Sequence, residues 1–357
     1  MRRLSFAIAA ALLAAISGLA HAQNDKKEEI SFTTFDGVLI KGSFYPSGKG
    51  SNAPVVMFLH KLGSDRTKGE WNALAERLQT TGYAVLSFDF RGHGQSTTII
   101  DPQKFWSFSM NMSSVKGSGQ GVKKKTLKYA DFTAAYLPCL VNDIVAARYD
   151  LDNRNDSGQC NTSNIIVIGA EDGASLGFLW MVAEHGRTAV YKQGNLFQFG
   201  NGNTTPASDD IAGAIWLSFA KSPASSNGHL TFPYSFMASP ASTIAPTMRS
   251  RIPMWFAYGQ DDKQGMTDAN YLYDTVLRAD ANKDKLDTTF KKPIAGTKLR
   301  GALLLGKANS TDEDIDKYIK QLVERRPNAA PKKRNAGDTQ PIPVPLNQLG
   351  FTGYTYP

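Results

Sequence analysis

The chain has 357 residues, 41% hydrophobic and 20% charged, which supplies a large core and excludes an intrinsically disordered protein. Forty Lys and Arg against 32 Asp and Glu give a formal charge of +8, a modest excess held in runs without the interleaved aromatics of a nucleic-acid groove. Nucleic acid is therefore not expected as a partner, and two cysteines are too few for a disulfide-built scaffold.

Met1-Arg2-Arg3, an apolar stretch to about Ala20, and Ala20-His21-Ala22 before Gln23 form the three-part pattern of a secretory signal peptide. Residues 1–22 are expected to be removed after Ala22, placing the mature chain in the periplasm or outside the cell, with 23–27 as a linker. Loss of Arg2 and Arg3 lowers the charge from +8 to +6. The apolar core falls short of the roughly 20 residues that span a bilayer. No later segment is long and apolar enough either, so an integral membrane protein is not expected.

From residue 28 the chain reads as one domain to about 326. Ile30 to Phe44 predicts two strands joined at Asp36-Gly37, a strong hairpin turn. Buried strands then alternate with helices. Pro54 to Leu59 is a strand, Trp71, Leu74, Ala75 and Leu78 mark a helix, and Tyr83 to Phe88 is the next strand. A helix with Leu140, Ile144, Ala147 and Leu151 precedes a strand at Ile165 to Ile168. Further apolar segments follow at Ile211 to Phe219, Pro253 to Tyr258, Tyr271 to Leu277 and Leu299 to Leu305. Ser310 and Glu313 suggest a capping box for a last helix whose buried stripe is Ile315, Ile319, Leu322 and Val323. This alternation predicts a mostly parallel sheet with helices on both faces.

Three segments break the rhythm. Residues 97–128 lengthen one connection into an insertion, and the alternation of Trp106, Phe108, Met110 and Met112 with polar residues suggests an added edge strand. These apolar residues either pack down as core or offer an edge to a protein partner. Gly186 to Asp210 reads as a long loop. Residues 327–357 form a Pro/Lys-rich tail, expected to be mobile to Thr339, with apolar residues from Ile342 to Tyr356 able to pack.

Four motifs carry chemistry: Phe58-Leu-His60-Lys61-Leu62-Gly63, Gly82 through Asp89-Phe-Arg91-Gly-His93-Gly-Gln-Ser96, Gly169-Ala-Glu171-Asp172-Gly173, and Tyr258-Gly259-Gln-Asp261-Asp262. Their order and spacing resemble the α/β-hydrolase superfamily of esterases and lipases over nearly the whole mature domain. The resemblance implies an α/β-hydrolase fold without a large lid domain. It also implies a strand-turn-helix nucleophile elbow at Gly169 to Gly173 and a site at the carboxyl ends of the strands.

Acyl transfer in that family needs a nucleophile, a histidine base, an acid that orients it and backbone donors for the oxyanion. Glu171 stands at the nucleophile position, where a carboxylate cannot form an esterase acyl-enzyme. Relatives that attack alkyl carbon use an elbow aspartate, which is one methylene shorter, and still need a histidine. Ser175 lies in Gly173-Ala-Ser175-Leu-Gly177, a letter-for-letter Gly-x-Ser-x-Gly match. It falls too far past the end of the strand, so a place in the helix after the elbow is expected.

Asp262, with Asp261 beside it, matches the acid. The base is missing, because the position after the last strand near Gly296-Thr297-Lys298 has no histidine and none follows His229. His60 and His93 are expected to support loop geometry, His185 to lie far from the site, and His229 to serve only in a permuted triad. Lys61 replaces the usual glycine of the oxyanion loop and suggests an ion pair with Glu171. The expected site is a vestigial triad of Glu171 and Asp262, with Ser175 as a decoy and a pocket of His60, Lys61, Leu62 and Asp172. No spacing among His60, His93, Glu171, Asp172 and Asp262 matches a metal motif, and no cofactor is expected.

The resulting expectation is a secreted, non-catalytic binding or structural component whose partner is an unknown small molecule or an envelope component. The alternative is an active serine hydrolase that uses Ser175 or an unorthodox base. A Cys139–Cys160 bridge requires α-carbons within about 7 Å. The predicted elements place the two cysteines near opposite ends of the fold, although Asp150 to Gln159 leaves a path back.

Overall fold

The computed structural model describes residues 27–117, 124–187, 207–225, 228–229, 248–277, 289–306, 310–338, 341–347, 349–351 and 353–354. The expected signal peptide lies outside them. The central sheet comprises β1 (Glu28–Thr33), β2 (Val38–Tyr45), β3 (Pro54–Leu59), β4 (Ala84–Phe88), β5 (Thr98–Ile99), β6 (Asn161–Ala170) and β7 (Ile211–Leu217). A small separate hairpin pairs β8 (Ala224–Ser225) with β9 (Gly228–His229), and β10 (Met254–Gly259) and β11 (Phe290–Ile294) complete the sheet. The sheet order is β1-β2-β4-β3-β6-β7-β10-β11, with β5 beside β2. From β4 onward neighbouring strands are parallel, while β1 and β2 form the antiparallel hairpin predicted at Asp36-Gly37.

Seven helices are described: α1 (Trp71–Thr80), α2 (Pro102–Ser107), α3 (Ser109–Ser114), α4 (Val141–Asp156), α5 (Asp172–Gly186), α6 (Lys263–Asn270) and α7 (Thr311–Glu324). Successive strand residues point to opposite faces, so each central strand feeds two cores. Val55, Met57 and Leu59 of β3 join Ile144 of α4 and Leu176 and Leu179 of α5 on one face. Val56 and Phe58 join Trp71, Leu74 and Leu78 of α1 and Ile315, Ile319 and Leu322 of α7 on the other. Each such side chain, fully buried, contributes about 1.5–3 kcal/mol.

A buried polar cluster ties the insertion to this frame. Arg91 Nε donates to Asp143 Oδ1 at 2.7 Å, and its Nη1 donates to Asp36 Oδ2 at 2.6 Å. The Tyr136 hydroxyl and Asn111 of α3 complete the network. Burial works to raise the Asp36 carboxyl, but the charge and hydrogen bonds of Arg91, with help from Thr34 and Asn111, hold it below its ordinary value.

Three expectations need correction. The 106–112 segment is not an edge strand. Asp101 accepts from the Lys104 amide at 2.9 Å and Pro102 opens α2, so the chain runs helically through α2 and α3. Trp106 and Phe108 pack down as core, whereas Met112 remains exposed. The Ser310–Glu313 capping box does not form. Ser310 adopts φ +52° and makes no side-chain cap, and Glu313 pairs instead with Arg77 of α1 at 2.9 Å.

Nor is 327–338 a free tail. Arg334 is buried against Asp210 at 2.9 Å, and Val344, Leu346, Leu349, Phe351 and Tyr354 enter the same core as α4 and α5. Cys139 and Cys160 are both buried and unbridged. Among the described residues no helix is long and apolar enough to cross a membrane.

Removing one partner of a buried ion pair strands the other charge. Arg91→Ala is therefore expected to lower the urea unfolding free energy by about 3–5 kcal/mol. A loss below about 1 kcal/mol, the scale of a surface pair, would contradict the role given to this cluster.

Candidate functional site

β6 ends at Ala170 and α5 begins at Asp172, leaving Glu171 alone to reverse the chain at φ +48° and ψ −115°. For a residue with a side chain this backbone costs roughly 1–3 kcal/mol. The flanking glycines make it sterically feasible. A Cβ on Gly169 would lie 2.6 Å from Ala174 Cα, and one on Gly173 would lie 2.3 Å from the His60 carbonyl oxygen. The Glu171 amide donates to Leu217 O of β7 at 2.9 Å, and its carbonyl accepts from Ala174 at 3.1 Å and Ala220 at 3.3 Å. The strained turn is thus hydrogen-bonded to β7 and packed closely against the end of β3.

The Glu171 carboxylate faces the loop that follows β11. A Cβ on Gly301, itself at φ +54°, would stand 2.6 Å from Oε1, so a side chain there would displace the carboxylate. Lys61 Nζ lies 3.4 Å from the same oxygen, as its place in the oxyanion loop suggested. The lysine side chain is 48% exposed and the glutamate 16%. Such a pair contributes about 1 kcal/mol or less.

Asp172 accepts from the Ala224 amide at 3.2 Å. Burial pushes its carboxyl up to about 6, and the neighbouring Glu171 charge adds to the rise against the pull of Ala224 and Lys61. Tyr129, at the end of the insertion, donates its hydroxyl to Ala224 O. Burial, with the Asp172 charge, raises that phenol to about 12. The short β8–β9 hairpin is thereby held to the elbow on one side and to the insertion on the other.

Asp262 caps α6, accepting from the Gly265 amide at 3.0 Å. Arg300 Nε approaches its other oxygen at 3.1 Å, a close ion pair whose N–H is not aligned as a hydrogen bond. The loop after β11 is bound to this turn, since the Asp261 amide donates to Thr297 O at 3.0 Å. The segment that would carry the base thus reaches the acid, and the side chain that meets Asp262 is a guanidinium. Ser175 is 2% exposed in α5, with its hydroxyl turned to the backbone carbonyls of Ala220 and Glu171. Leu62 is 4% exposed and belongs to the core.

The histidines have structural partners. His60 Nδ1 lies 2.7 Å from Lys61 O, and its Nε2 accepts from the Phe90 amide at 3.1 Å. His93 Nδ1 lies 2.9 Å from Arg91 O, and its Nε2 accepts from the Gly63 amide at 2.9 Å. Burial lowers His60 to about 4, and burial with the nearby His60 lowers His93 to about 3. His185 contacts Ser208 at the far end of α5. The His229 backbone is in β9, and its side chain is outside the described residues. Among the described residues no group of three or more His, Cys, Asp or Glu side chains is arranged to hold a metal.

Sequence reasoning missed Arg300, Gly301 and Tyr129. Arg300 had a usable signal, as a basic residue in the loop where the base was sought. Tyr129 and Gly301 had none, because their roles arise from contacts across the fold.

The strand order, the strained elbow and helices on both faces define the α/β-hydrolase fold, with no large lid domain among the described residues. No family model and no curated protein sequence matches the chain. Among solved structures, it is similar to an esterase of Pyrococcus furiosus at 15% identity and a TM-score of 0.49, covering 85% of this chain and 92% of that one. It is also similar to a dienelactone hydrolase of Anabaena variabilis at 12% identity and a TM-score of 0.45, covering 84% and 97%. A third is Est1E of Butyrivibrio proteoclasticus, solved with ferulic acid bound, at 13% identity and a TM-score of 0.49, covering 82% and 99%.

The histidine environment sets an acid limit. His60 and His93 fall from an ordinary 6.5 to about 4 and 3 on folding, so in that interval the unfolded chain binds protons that the folded one refuses. Their contribution is whole above 6.5 and is lost as pH falls. Asp172 has the opposite sign, rising from 3.8 to about 6, so the folded state gains stability as pH drops through that range. The melting temperature is expected to fall between about pH 7 and pH 4, and to fall more steeply in Asp172→Asn. A flat profile, or a shallower one in the variant, would contradict these environments.

Proposed function

We propose that this protein is exported and that its α/β-hydrolase scaffold performs no hydrolysis, acting as a binding or structural component. The observation that carries this reading is the fate of the elbow side chain. Residue 171 holds the strained backbone of a nucleophile, yet it is a glutamate paired with Lys61 and packed on Gly301. An acyl-enzyme on that carboxylate would be a mixed anhydride, and among the described side chains no neighbouring imidazole is free to activate water. His60 and His93 each use both ring nitrogens on backbone groups.

Asp262 faces Arg300, a guanidinium that offers donors and no acceptor and so cannot take the place of a histidine base. Ser175 is buried and directs its hydroxyl into backbone carbonyls, so an acyl transfer that uses it has no base among the described side chains and no open route to substrate. Export rests on the signal-like N-terminus, and the two buried, unbridged cysteines are compatible with it.

Purified protein is expected to take no label from a fluorophosphonate probe and to leave short acyl esters intact, with Ser175→Ala indistinguishable from wild type. Labelling that disappears in Ser175→Ala would reinstate a serine hydrolase. An N-terminus other than Gln23 on the exported protein would remove the proposed cleavage.

A further inference from the structure

The surface over the carboxyl ends of the strands differs from the rest of the described exterior. The turn Gly301–Leu304 lies across the ends of β6, β7 and β10. Gly259, at the end of β10, is packed against the carbonyls of Thr297 and Leu299, and Gly69 meets Ala302. The loops 61–70, 260–267 and 296–304 therefore form one continuous face. Six large apolar side chains are exposed among the described residues, and three lie here: Leu303 at 61%, Met266 at 40% and Leu299 at 39%.

The charges on this face are sorted by depth. In the Lys61–Glu171 pair the lysine is 48% exposed and the acid 16%, and in the Arg300–Asp262 pair the values are 36% and 5%. Each pair presents its cation outward and keeps its carboxylate below. Lys68, Lys263 and Lys298 are exposed on the same loops, where the outer acids are Asp65, Glu70 and Asp261.

We propose that this face docks on an anionic lipid surface. Met266, Leu299 and Leu303 enter the headgroup region while Lys61, Lys68, Lys263, Lys298 and Arg300 face the phosphates. The face holds five cations and five acids, but Glu171 and Asp262 lie below their partners, so five cations stand outward against three acids. With the protruding apolar side chains they satisfy both attractions of such an interface, whereas either alone binds weakly. A nucleic acid would be served by the cations without leucines at their centre. The proposal does not depend on whether the elbow is chemically inert, since the lipid is met by the rim.

The test is co-sedimentation of the intact protein with vesicles of phosphatidylglycerol and phosphatidylcholine, against vesicles of phosphatidylcholine alone. Binding is expected to the first at low salt, to weaken as salt is added, and to be slight for the second. The double variant Leu299→Asp/Leu303→Asp is expected to bind about tenfold less, and Lys298→Glu is expected to reduce binding too. Circular dichroism with a wild-type melting transition would show that these surface variants fold. Ile100→Asp and Ile342→Asp alter apolar side chains that are 51% and 49% exposed elsewhere and are expected to bind as wild type. Absence of binding to the anionic vesicles, equal binding to both kinds, or an equal loss in the Ile100 and Ile342 variants would overturn the proposal.

Discussion

The backbone at Glu171 is the constraint on which the rest of the site depends. One residue between β6 and α5 must turn the chain from the middle of the sheet into a helix packed on its face, and it does so at φ +48°. That conformation costs free energy and persists because its surroundings leave no alternative. β6 is buried along all ten residues, Gly169 and Gly173 admit no side chain, and both peptide groups of the turn are hydrogen-bonded to chain beyond it. The placement of residue 171 in front of His60-Lys61 and Gly301 follows from this turn.

Around the turn, ion pairs and hydrogen bonds link the surrounding loops. Lys61 meets Glu171, Arg300 meets Asp262, and the Ala224 peptide lies between Asp172 and Tyr129. These contacts hold together the loops after β3, β6, β7, β10 and β11. None of them is worth much alone, because the cations remain partly in water. Together they hold the loops in one geometry around Glu171 and Asp262. The deep polar clusters do different work. Arg91 with Asp36 and Asp143 fixes the insertion to the hairpin and α4, and Arg334 with Asp210 fixes the tail.

The sheet was legible in the sequence because buried parallel strands are short, continuous apolar runs and the helices between them carry clear stripes. The elbow was legible because its glycines are steric requirements of the turn whatever residue stands at 171. Lys61 beside Glu171 could be anticipated from two adjacent motifs. Arg300 carried a signal as a basic residue in the loop after β11, but its partner was not legible, since the pairing depends on how that loop folds back on Asp262. The period-two reading of Trp106 to Met112 failed because Asp101-Pro102, a helix start, outweighs a short alternation. Ser310-Thr-Asp-Glu313 looked like a capping box, but Arg77 on a distant helix offers Glu313 a charged partner. For Trp106 to Met112 a stronger local signal prevailed, and for Ser310 to Glu313 a long-range contact did.

The central claim is that residue 171 retains a strained nucleophile backbone although it carries no serine. The most direct test is the difference in unfolding free energy between Glu171→Gly and Glu171→Ala. Both remove the carboxylate and the Lys61 pair, so they differ in tolerance of positive φ. If the elbow is strained as described, the glycine variant is the more stable of the two by about 1 kcal/mol. At an ordinary position glycine is less stable than alanine by roughly 0.5–1 kcal/mol, and that order would contradict the account.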